Sequence, residues 1–411
     1  MRTIQDLQQL QGLPLNIKIR MTKERIRQWI GEYGEDGVYV SFSGGKDSTV
    51  LLHLVREDYP NVKAVFVDTG LEYPEIRQFV KTFDNVEWLK PKMGFKQVIQ
   101  KYGYPFISKE VSECVYGARK YLTSILQDAS LDRPTDRPTD RIGTPMSELP
   151  EQVRMQEMGG ANTSIIQTEE FRNLLERQEK QARPGSLRRI AMMTGMLTKD
   201  CQIKANIPEK DRSKFSQEHY QFFLDAPFSI SSRCCDVMKK GPAHLYQKKT
   251  GRNPMTAQMA SESRLRAQKW LLNGCNGFNL KSPISNPMAF WTEQDVLLYI
   301  YQTKLPICSV YGEIVKDQGD IAGQMDLEDY FGKELFDIER PTLKTTGCDR
   351  TGCMFCGYGC HLEKNEGRFV RMKRTHPKQY DYIMRPWEEG GLNYKEVIDW
   401  INEHGNMNIK Y

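Results

Sequence analysis

Short apolar runs alternate with amphipathic stretches over the first part of the chain. Runs of β-branched and aromatic residues predict three buried strands, at Val38–Ser41, Ala64–Val67 and Val86–Leu89. Each run is followed by apolar residues at helical spacing, and the predicted helices cover 47–56, 74–83 and 94–102. Strands that alternate with helices in this way indicate a parallel sheet covered on both faces.

The alternation stops after a long predicted helix at 109–127. Residues 132–141 read DRPTDRPTDR, a tandem repeat rich in proline and charge that is typical of a turn-rich surface segment. Polar sequence with helical stretches continues to residue 220, and α/β character returns from about Phe222, with a predicted strand at 256–259 and predicted helices at 261–272, 292–302 and 394–402.

This pattern predicts a chain of five segments. They are an N-terminal helical segment at 1–36, the first part of an α/β domain at 37–127, a largely helical insertion at 128–220, the second part of the α/β domain at 221–310, and a cysteine-rich C-terminal region at 311–411.

Composition narrows the class of protein without fixing its function. The 411 residues are enough for a large core, and no run of about 18 apolar residues predicts a membrane span. The N-terminus lacks the apolar core of a signal peptide, so we expect a cytoplasmic protein with no membrane partner. The net charge of +5 permits an anionic ligand without requiring one.

The segment SFSGGKDST at 41–49 joins the first predicted strand to the first predicted helix. Paired glycines let backbone N–H groups approach a phosphate, and a helix N-terminus favours negative charge. The spacing is neither that of a Walker loop nor that of a GxGxxG turn. We therefore predict an anion site of a different kind, and its candidate nucleotide-binding residues are Ser41, Ser43, Gly44, Gly45, Lys46, Asp47 and Ser48.

The ten cysteines are unevenly placed, and a chain without an export signal is not expected to use them as a disulfide framework. Isolated cysteines are expected to be buried as small hydrophobic residues. The tail instead has the spacing C-x4-C-x2-C-x3-C, formed by Cys348, Cys353, Cys356 and Cys360. Thiolates at C-x-x-C spacing select zinc or an iron–sulfur cluster. Spacing alone leaves open a structural zinc in the tail and a shared ligand role with the adjacent pair Cys234 and Cys235.

The loop SGGKDS at 43–48 resembles the PP-loop of the adenine nucleotide α-hydrolase superfamily, which includes ATP pyrophosphatases and the phosphoadenosine phosphosulfate (PAPS) reductase family. Further segments resemble that family in the same order along the chain: VDTG at 67–70, SRCC at 232–235 with KKGP at 239–242, SESR at 261–264, PMAFWT at 287–292 with DV at 295–296, and GCMFC at 352–356. The resemblance covers about 20–125 and 222–385 and leaves out the insertion. It implies a Rossmann-like (HUP-type) parallel sheet flanked by helices.

The resemblance also implies ligands and residues that hold them. ATP with Mg²⁺ would lie on the loop, and Asp68, Thr69 and Gly70 would lie near the adenosine. A [4Fe-4S] cluster would be held by Cys234, Cys235, Cys353 and Cys356, with zinc as the alternative and with Cys348 and Cys360 as less favoured ligands. The candidate catalytic residues are Lys46, Asp47, Arg264 and Arg266.

Two departures from the reductases decide which activity we expect. Sulfonucleotide reductases usually lack the loop lysine, so Lys46 resembles members that split ATP to AMP and pyrophosphate. Those reductases also end with a nucleophilic cysteine, whereas this sequence has none after Cys360. The expected function is therefore adenylation of an acceptor for sulfur transfer. The alternatives are a sulfonucleotide (PAPS or APS) reductase and a non-catalytic nucleotide-binding component of a modification or defence complex.

Partners are less well defined by the sequence. The acceptor is left open among tRNA, DNA and a small molecule, and a sulfur donor or reductant protein and a homo-oligomer are expected. Basic residues at 364–374 are compatible with binding of nucleic-acid phosphates. They are equally compatible with a solvated helix face on which they pair with Glu363 and Glu366.

Overall fold

The computed structural model describes residues 2–131, 217–317, 342–364 and 366–411. The DRPTDRPTDR repeat and most of the predicted insertion lie outside the described residues. The chain forms two compact units, of which the first comprises Met1–Lys92 and Lys239–Met354, and the second Met93–Met238 and Phe355–Tyr411. The division into five segments stays a prediction.

The strands, in chain order, are β1 Val38–Ser41, β2 Ala64–Val67, β3 Val86–Leu89, β4 Phe106–Ile107, β5 Asn253–Met255, β6 Asn276–Gly277, β7 Ile284–Ser285, β8 Ile314–Lys316, β9 Leu343–Thr345 and β10 Gly357–Tyr358. The first three confirm the predicted strands. The strand predicted at 256–259 is wrong, because pairing with β1 covers 253–255 and ends at Met255.

The helices, in chain order, are α1 Ile4–Gly12, α2 Leu15–Tyr33, α3 Lys46–Asp58, α4 Pro74–Val80, α5 Phe95–Tyr102, α6 Lys109–Leu131, α7 Arg233–Cys235, α8 Gly241–Thr250, α9 Arg264–Asn273, α10 Glu293–Thr303, α11 Arg368–Thr375, α12 Pro377–Met384 and α13 Tyr394–Gly405. Among the described helices, none is both long and apolar enough to cross a membrane.

The first unit contains a six-stranded sheet in the order β3-β2-β1-β5-β7-β6. All neighbouring strands are parallel except β6 and β7, which are antiparallel. The fold is therefore α/β with a mostly parallel central sheet. Because the chain runs outward from β1 to β3 and then returns to the other side of β1, the carboxyl end of β1 is the position at which such sheets open a ligand crevice.

Helices α2 and α10 belong to the core of the first unit, and a buried ion pair joins them. Lys18 Nζ lies 2.5 Å from Asp295 Oδ2, and both side chains are almost fully buried. The indole N–H of Trp291, which is also fully buried, donates to Thr22 Oγ1 of α2 at 2.8 Å. These contacts satisfy polar groups inside an apolar core, where an unpaired charge would be costly.

The second unit is built around a cluster of buried aromatic rings. Strands β4 and β10 pair in parallel, and Phe106 of β4 packs against Phe369 and Tyr394. Tyr104 completes the cluster, with its ring centroid 5.4 Å from that of Tyr394. This unit carries most of the cysteines that the sequence singles out.

Candidate functional site

The loop after β1 is shaped by hydrogen bonds among its own residues. The Ser43 N–H donates to Ser48 Oγ at 3.2 Å, and the Ser48 hydroxyl donates to the Gly45 carbonyl at 2.9 Å. Thr49 Oγ1 donates to the same carbonyl at 3.0 Å. Helix α3 then begins at Lys46, with Gly45 as its N-cap residue. The loop therefore presents the N-terminus of a long helix at the carboxyl end of β1, which suits an anion.

Gly44 is required by its surroundings, and Gly45 is tightly packed. Gly44 has a φ of +70°, and a Cβ at that position would lie 2.8 Å from Val80 Cγ2 and 2.9 Å from Ile76 Cγ2 of α4. A Cβ at Gly45 would lie 3.2 Å from the Tyr311 hydroxyl. The loop is thus packed closely against α4 and against Tyr311.

Lys46 is buried, with 2% of its surface exposed, although it carries a charge. Its Nζ donates to the Asp349 carbonyl at 2.9 Å and lies 3.0 Å from Glu293 Oε1. Its backbone N–H donates to the Tyr311 hydroxyl at 3.1 Å. The lysine is therefore held in place by residues remote in sequence, close to the loop that would receive phosphates.

Asp47 lies beside Lys46 in the first turn of α3, and its Oδ1 is buried. Among the described residues this oxygen has no hydrogen-bond partner, although Lys46 Nζ is 3.9 Å away. Burial raises the pKa of Asp47 above its ordinary value; Lys46 counteracts the rise and Glu293 adds to it. A buried carboxylate oxygen without a hydrogen bond fits a cation such as Mg²⁺ in chemistry and position.

Two arginines extend this charged group. Arg266 forms an ion pair with Glu262, and its charge and that of Arg350 both act to lower the pKa of Asp47. Burial, and then repulsion by the Arg350 charge, lower the pKa of Arg266, while Asp47 acts to raise it. The structure therefore brings Arg266 near Asp47, as the candidate catalytic set requires.

A pocket of about 150 Å³ opens at the carboxyl ends of β1 and β2. Its walls are formed by backbone and side chains of both strands and by residues of three other segments. The polar residues among those lining it are Ser41, Ser43, Glu72, Lys239 and Thr351. This is the position that the sheet order predicts for a ligand.

In the segment after β2, Asp68, Thr69 and Gly70 do not line the pocket, whereas Glu72 does. Asp68 accepts from Arg77 at 2.9 Å and from the Gly70 N–H at 3.3 Å, so its carboxylate is already engaged. Thr69 donates to the carboxylate of Glu72 through its hydroxyl at 2.6 Å and through its N–H at 3.1 Å. Both carboxylates accept hydrogen bonds from neighbouring residues, but only that of Glu72 lines the pocket.

Arg264 is not brought to this group. It is the first residue of α9, its side chain is exposed, and no ion pair or side-chain hydrogen bond joins it to another described residue. Arg266, two residues later, lies on a different face of the helix. Of the two arginines predicted to be catalytic, only Arg266 is near Asp47 in this structure.

Sequence reasoning missed several residues of the site. Tyr311 and Thr351 share a hydrogen bond of 2.6 Å beside the loop glycines, and burial raises the pKa of Tyr311 to about 12, so that it is a neutral phenol. The other omissions are Glu72, Glu293 and Arg350. None of them carries a local signal except Arg350 and Thr351, which lie between Cys348 and Cys353 in the cysteine-rich segment.

The second unit gathers three of the four predicted cluster ligands. Burial raises the pKa of the Tyr358 phenol, and the nearby thiols of Cys234, Cys235 and Cys356 add smaller contributions in the same direction. None of these thiols is in a disulfide bond. Cys353, the fourth predicted ligand, belongs to the residues of the first unit.

The type of the predicted ligands and their arrangement decide which cofactor they could bind. Soft thiolates suit an iron–sulfur cluster or zinc. Within the described ranges, however, no group of three or more His, Cys, Asp or Glu side chains is arranged to hold a metal ion. The chemistry of the thiols therefore fits the predicted cluster, and the ligand set itself stays a prediction.

The two less favoured cysteines have other surroundings. Cys360 is buried, its S–H donates to the Gly357 carbonyl at 2.9 Å, and burial raises its pKa to about 12. Cys348 is buried in the first unit, where its S–H donates to the Tyr73 hydroxyl at 3.8 Å. Both are engaged within the protein as thiols.

The basic stretch at 364–374 is partly neutralised by its own acidic neighbours. Arg368 Nε donates to Glu363 at 2.8 Å, and Arg374 forms an ion pair with Glu366 at 2.9 Å. Arg368 also donates to the Cys356 carbonyl at 2.8 Å. These pairs favour the interpretation of a solvated helix face over that of a nucleic-acid surface.

Comparison with known proteins places these features in a family. A model of the phosphoadenosine phosphosulfate reductase domain matches residues 37–114 and 186–358, which is more than half of the chain. The match includes the loop after β1, the adjacent cysteine pair and the distal C-x-x-C.

Individual relatives match over shorter stretches. A phosphoadenosine 5'-phosphosulfate reductase of Xylella fastidiosa is 33% identical over 76 residues, covering 18% of this chain and 32% of that protein. An adenosine 5'-phosphosulfate reductase of Geobacillus kaustophilus is 31% identical over 86 residues, covering 21% and 33%. An uncharacterized protein of Methanocaldococcus jannaschii is 37% identical over 73 residues, covering 16% and 18%. This chain thus spans a third or less of the length of these relatives.

Among solved structures, a phosphoadenylyl-sulfate (PAPS) reductase from Candida auris, in complex with phosphate, is similar at 11% identity. The alignment covers 75% of this chain and 91% of that chain, with a TM-score of 0.31.

Proposed function

The chain belongs to the phosphoadenosine phosphosulfate reductase domain family, and from that premise we propose that it is an ATP-dependent adenylating enzyme for sulfur transfer. The observation that carries the proposal is the buried Lys46 in the loop at the start of α3. A lysine at this position can stabilise the negative charge of a pyrophosphate group that is bound and then released.

The nucleotide would occupy the pocket at the ends of β1 and β2. Glu72, oriented by Thr69, offers a carboxylate that could accept hydrogen bonds from ribose hydroxyls. The phosphates would extend over the N-terminus of α3, where backbone amides and Lys46 provide positive charge. Asp47 would hold Mg²⁺ through its buried oxygen.

In the first step an oxygen of the acceptor attacks the α-phosphorus of ATP. The bond between that phosphorus and the bridging oxygen breaks, pyrophosphate leaves with the electron pair, and the acceptor carries AMP. Negative charge grows on the leaving group, so Lys46 stabilises it best in the transition state. Arg266, whose charge acts on Asp47, would contact the α-phosphate or the acceptor.

In the second step a hydrosulfide equivalent from a donor protein attacks the activated carbon. The carbon–oxygen bond breaks, AMP leaves, and sulfur remains on the acceptor. We propose Cys234, Cys235, Cys353 and Cys356 as ligands of a [4Fe-4S] cluster, which when bound would supply a site for sulfide or tune the local charge. The acceptor is tRNA, DNA or a small molecule, and the pairing of Arg368 and Arg374 with glutamates favours the last.

Reduction of a sulfonucleotide is the second candidate, because relatives that match part of the chain are named PAPS and APS reductases. This reduction acts on a substrate that is already activated, and Lys46 has no evident role in such a reaction. A nucleotide-binding component without turnover is the third candidate, and the segment at 132–216 lies outside the described residues that could test it.

Product analysis tests the proposal. ATP with Mg²⁺, sulfide and a small-molecule or tRNA pool would be incubated with the anaerobically purified protein. We expect AMP and pyrophosphate in equal amounts, and loss of both with Lys46→Ala but not with the exposed-residue control Lys90→Ala. ADP and phosphate as products, or equal turnover by Lys46→Ala, would overturn the assignment.

A further inference from the structure

A second pocket of the first unit lies against α9 and the strands β6 and β7. Its cavity volume is about 320 Å³, larger than the 150 Å³ of the pocket at β1, and the two share no lining residue. Sites for small organic molecules begin at about this size, roughly 300 Å³. The pocket is therefore large enough for a ligand of its own.

The walls of this pocket are mainly apolar. Met259, Ala260, Trp270 and Ala289 line it, and each keeps 5% or less of its surface exposed. Ile284 of β7 adds a branched side chain. Walls of this kind favour the apolar or aromatic body of a ligand, because the body leaves water when it binds.

One polar group of the wall lacks a strong partner. Trp270 Nε1 is buried, and among the described residues no acceptor meets hydrogen-bond geometry with it. Its N–H is directed at the thiol of Cys275, which also lines the pocket; burial raises the pKa of that thiol and the Trp270 N–H lowers it, and a neutral thiol is a weak acceptor. A buried donor with only a thiol as acceptor is poorly satisfied, so an oxygen acceptor supplied by a ligand would be favourable here.

The charge around the pocket is positive. Arg266 and Lys269 of α9 line it, and none of its described lining residues is acidic. Arg2 lies close to Gly274, where a Cβ would be 2.6 Å from the guanidinium, and the charge of Arg25 acts on Cys275. Glu262 forms an ion pair with Arg266 and lies 4.0 Å from Arg350, so the cations left to favour an anionic group are Lys269, Arg2 and Arg25.

We infer that this pocket binds a small organic anion with an apolar or aromatic body. The acid group, a carboxylate or sulfonate, lies between Arg266 and Lys269, and an acceptor atom of the ligand takes the Trp270 N–H. This inference stands on the pocket alone and goes beyond sulfur transfer.

The experiment uses Cys275 as a reporter inside the pocket. The full-length protein is treated with N-ethylmaleimide with and without the aromatic sulfonate 1-anilinonaphthalene-8-sulfonate, and alkylation of individual cysteines is followed by peptide mass spectrometry. With the probe at a concentration about ten times its Kd, we expect roughly tenfold slower alkylation of Cys275, because the pocket is then mostly occupied. Cys308, buried in the same unit outside this pocket, should be unaffected.

Charge variants test the role of the cation. Lys269→Glu reverses the charge at an exposed position of the lining, and we expect it to weaken binding of the probe about tenfold, so that protection of Cys275 at the same probe concentration falls from about tenfold to about twofold. Lys281→Glu makes the same change at an exposed residue outside the lining, and protection should persist. Three results would each overturn the inference: equal slowing at Cys275 and Cys308, undiminished protection in Lys269→Glu, or a Cys275 that reacts only after unfolding.

Discussion

Asp47 illustrates how the surroundings of one residue decide its chemistry. It is adjacent to a lysine and near two arginines, yet burial outweighs these charges and its pKa is raised. The folded protein therefore favours the protonated form of Asp47 more than the unfolded chain does. Its stabilising contribution is present at acidic pH and is lost as the pH rises through the raised pKa, so at pH 7 the ionised carboxylate destabilises the fold.

Asp47→Asn should therefore raise the free energy of unfolding at pH 7, by roughly 1 kcal/mol. The same change should weaken Mg²⁺-dependent nucleotide binding, because an amide is a poorer ligand for the ion than a carboxylate. Urea unfolding at pH 7 and at pH 5 measures the first effect, with Asp84→Asn on the surface as the control. A variant less stable than the wild type at pH 7 would show that the carboxylate is stabilised in the fold.

The sequence shows the chemistry of the loop but only part of its environment. Lys46 and Asp47 follow from a local motif, because glycines, a lysine and hydroxyls are adjacent in the chain. Tyr311 and Glu293 are common residue types far away in sequence, and only folding brings them to Lys46. Arg264 ends the SESR segment and Arg266 follows two residues later, so the sequence does not distinguish them, whereas helix geometry places them on different faces.

At the scale of elements, apolar runs predict strands more reliably than they predict helix ends. Strands β1, β2 and β3 are where the pattern places them, since buried parallel strands are continuous apolar runs. Helix α9 begins at Arg264 rather than at 261, because Ser263 caps it by accepting from the Arg266 N–H. The short strands β6 and β7 have no hydrophobic pattern that predicts them, and only their antiparallel pairing identifies them as strands.

The packing of the loop between β1 and α3 against α4 gives a second prediction. Gly44 and Gly70 both have a positive φ, +70° and +74°, but only Gly44 has atoms within reach of a Cβ. Gly44→Ala should lower the free energy of unfolding by about 2–4 kcal/mol, through strain and through overlap with Ile76 and Val80.

Gly70→Ala is the matched control, because it introduces the same backbone strain into open space, at a cost of roughly 1 kcal/mol. Thermal and urea unfolding of both variants measure the difference. Equal destabilisation by the two substitutions would mean that the loop does not pack against α4 as described.

At the scale of the whole molecule, the two compact units could not be predicted from the sequence. The chain passes from one unit to the other after Lys92, after Met238 and after Met354, and each unit is defined by long-range contacts rather than by composition. The predicted cluster ligands lie close in sequence to the last two of these positions. The spacing of these cysteines can be recognised in the sequence, whereas their positions in space depend on the folded chain.

Iron content tests the proposed ligand set in the full chain. Anaerobically purified protein should contain about four irons and four sulfides per chain, and Cys353→Ala and Cys356→Ala should each lose most of both. Cys308→Ala, a buried cysteine outside the set, should keep them. One zinc without sulfide, or a cluster that survives both substitutions, would show that the ligand set is wrong.

The most direct test of the account is equilibrium binding of two nucleotides by calorimetry, with the wild type and with Lys46→Ala. We expect Mg²⁺·ATP to bind more tightly than PAPS, and we expect Lys46→Ala to weaken ATP by about tenfold or more while the variant stays folded, as its circular dichroism spectrum would verify. Tighter binding of PAPS, with little effect of Lys46→Ala on either nucleotide, would contradict ATP activation and would favour a sulfonucleotide reductase.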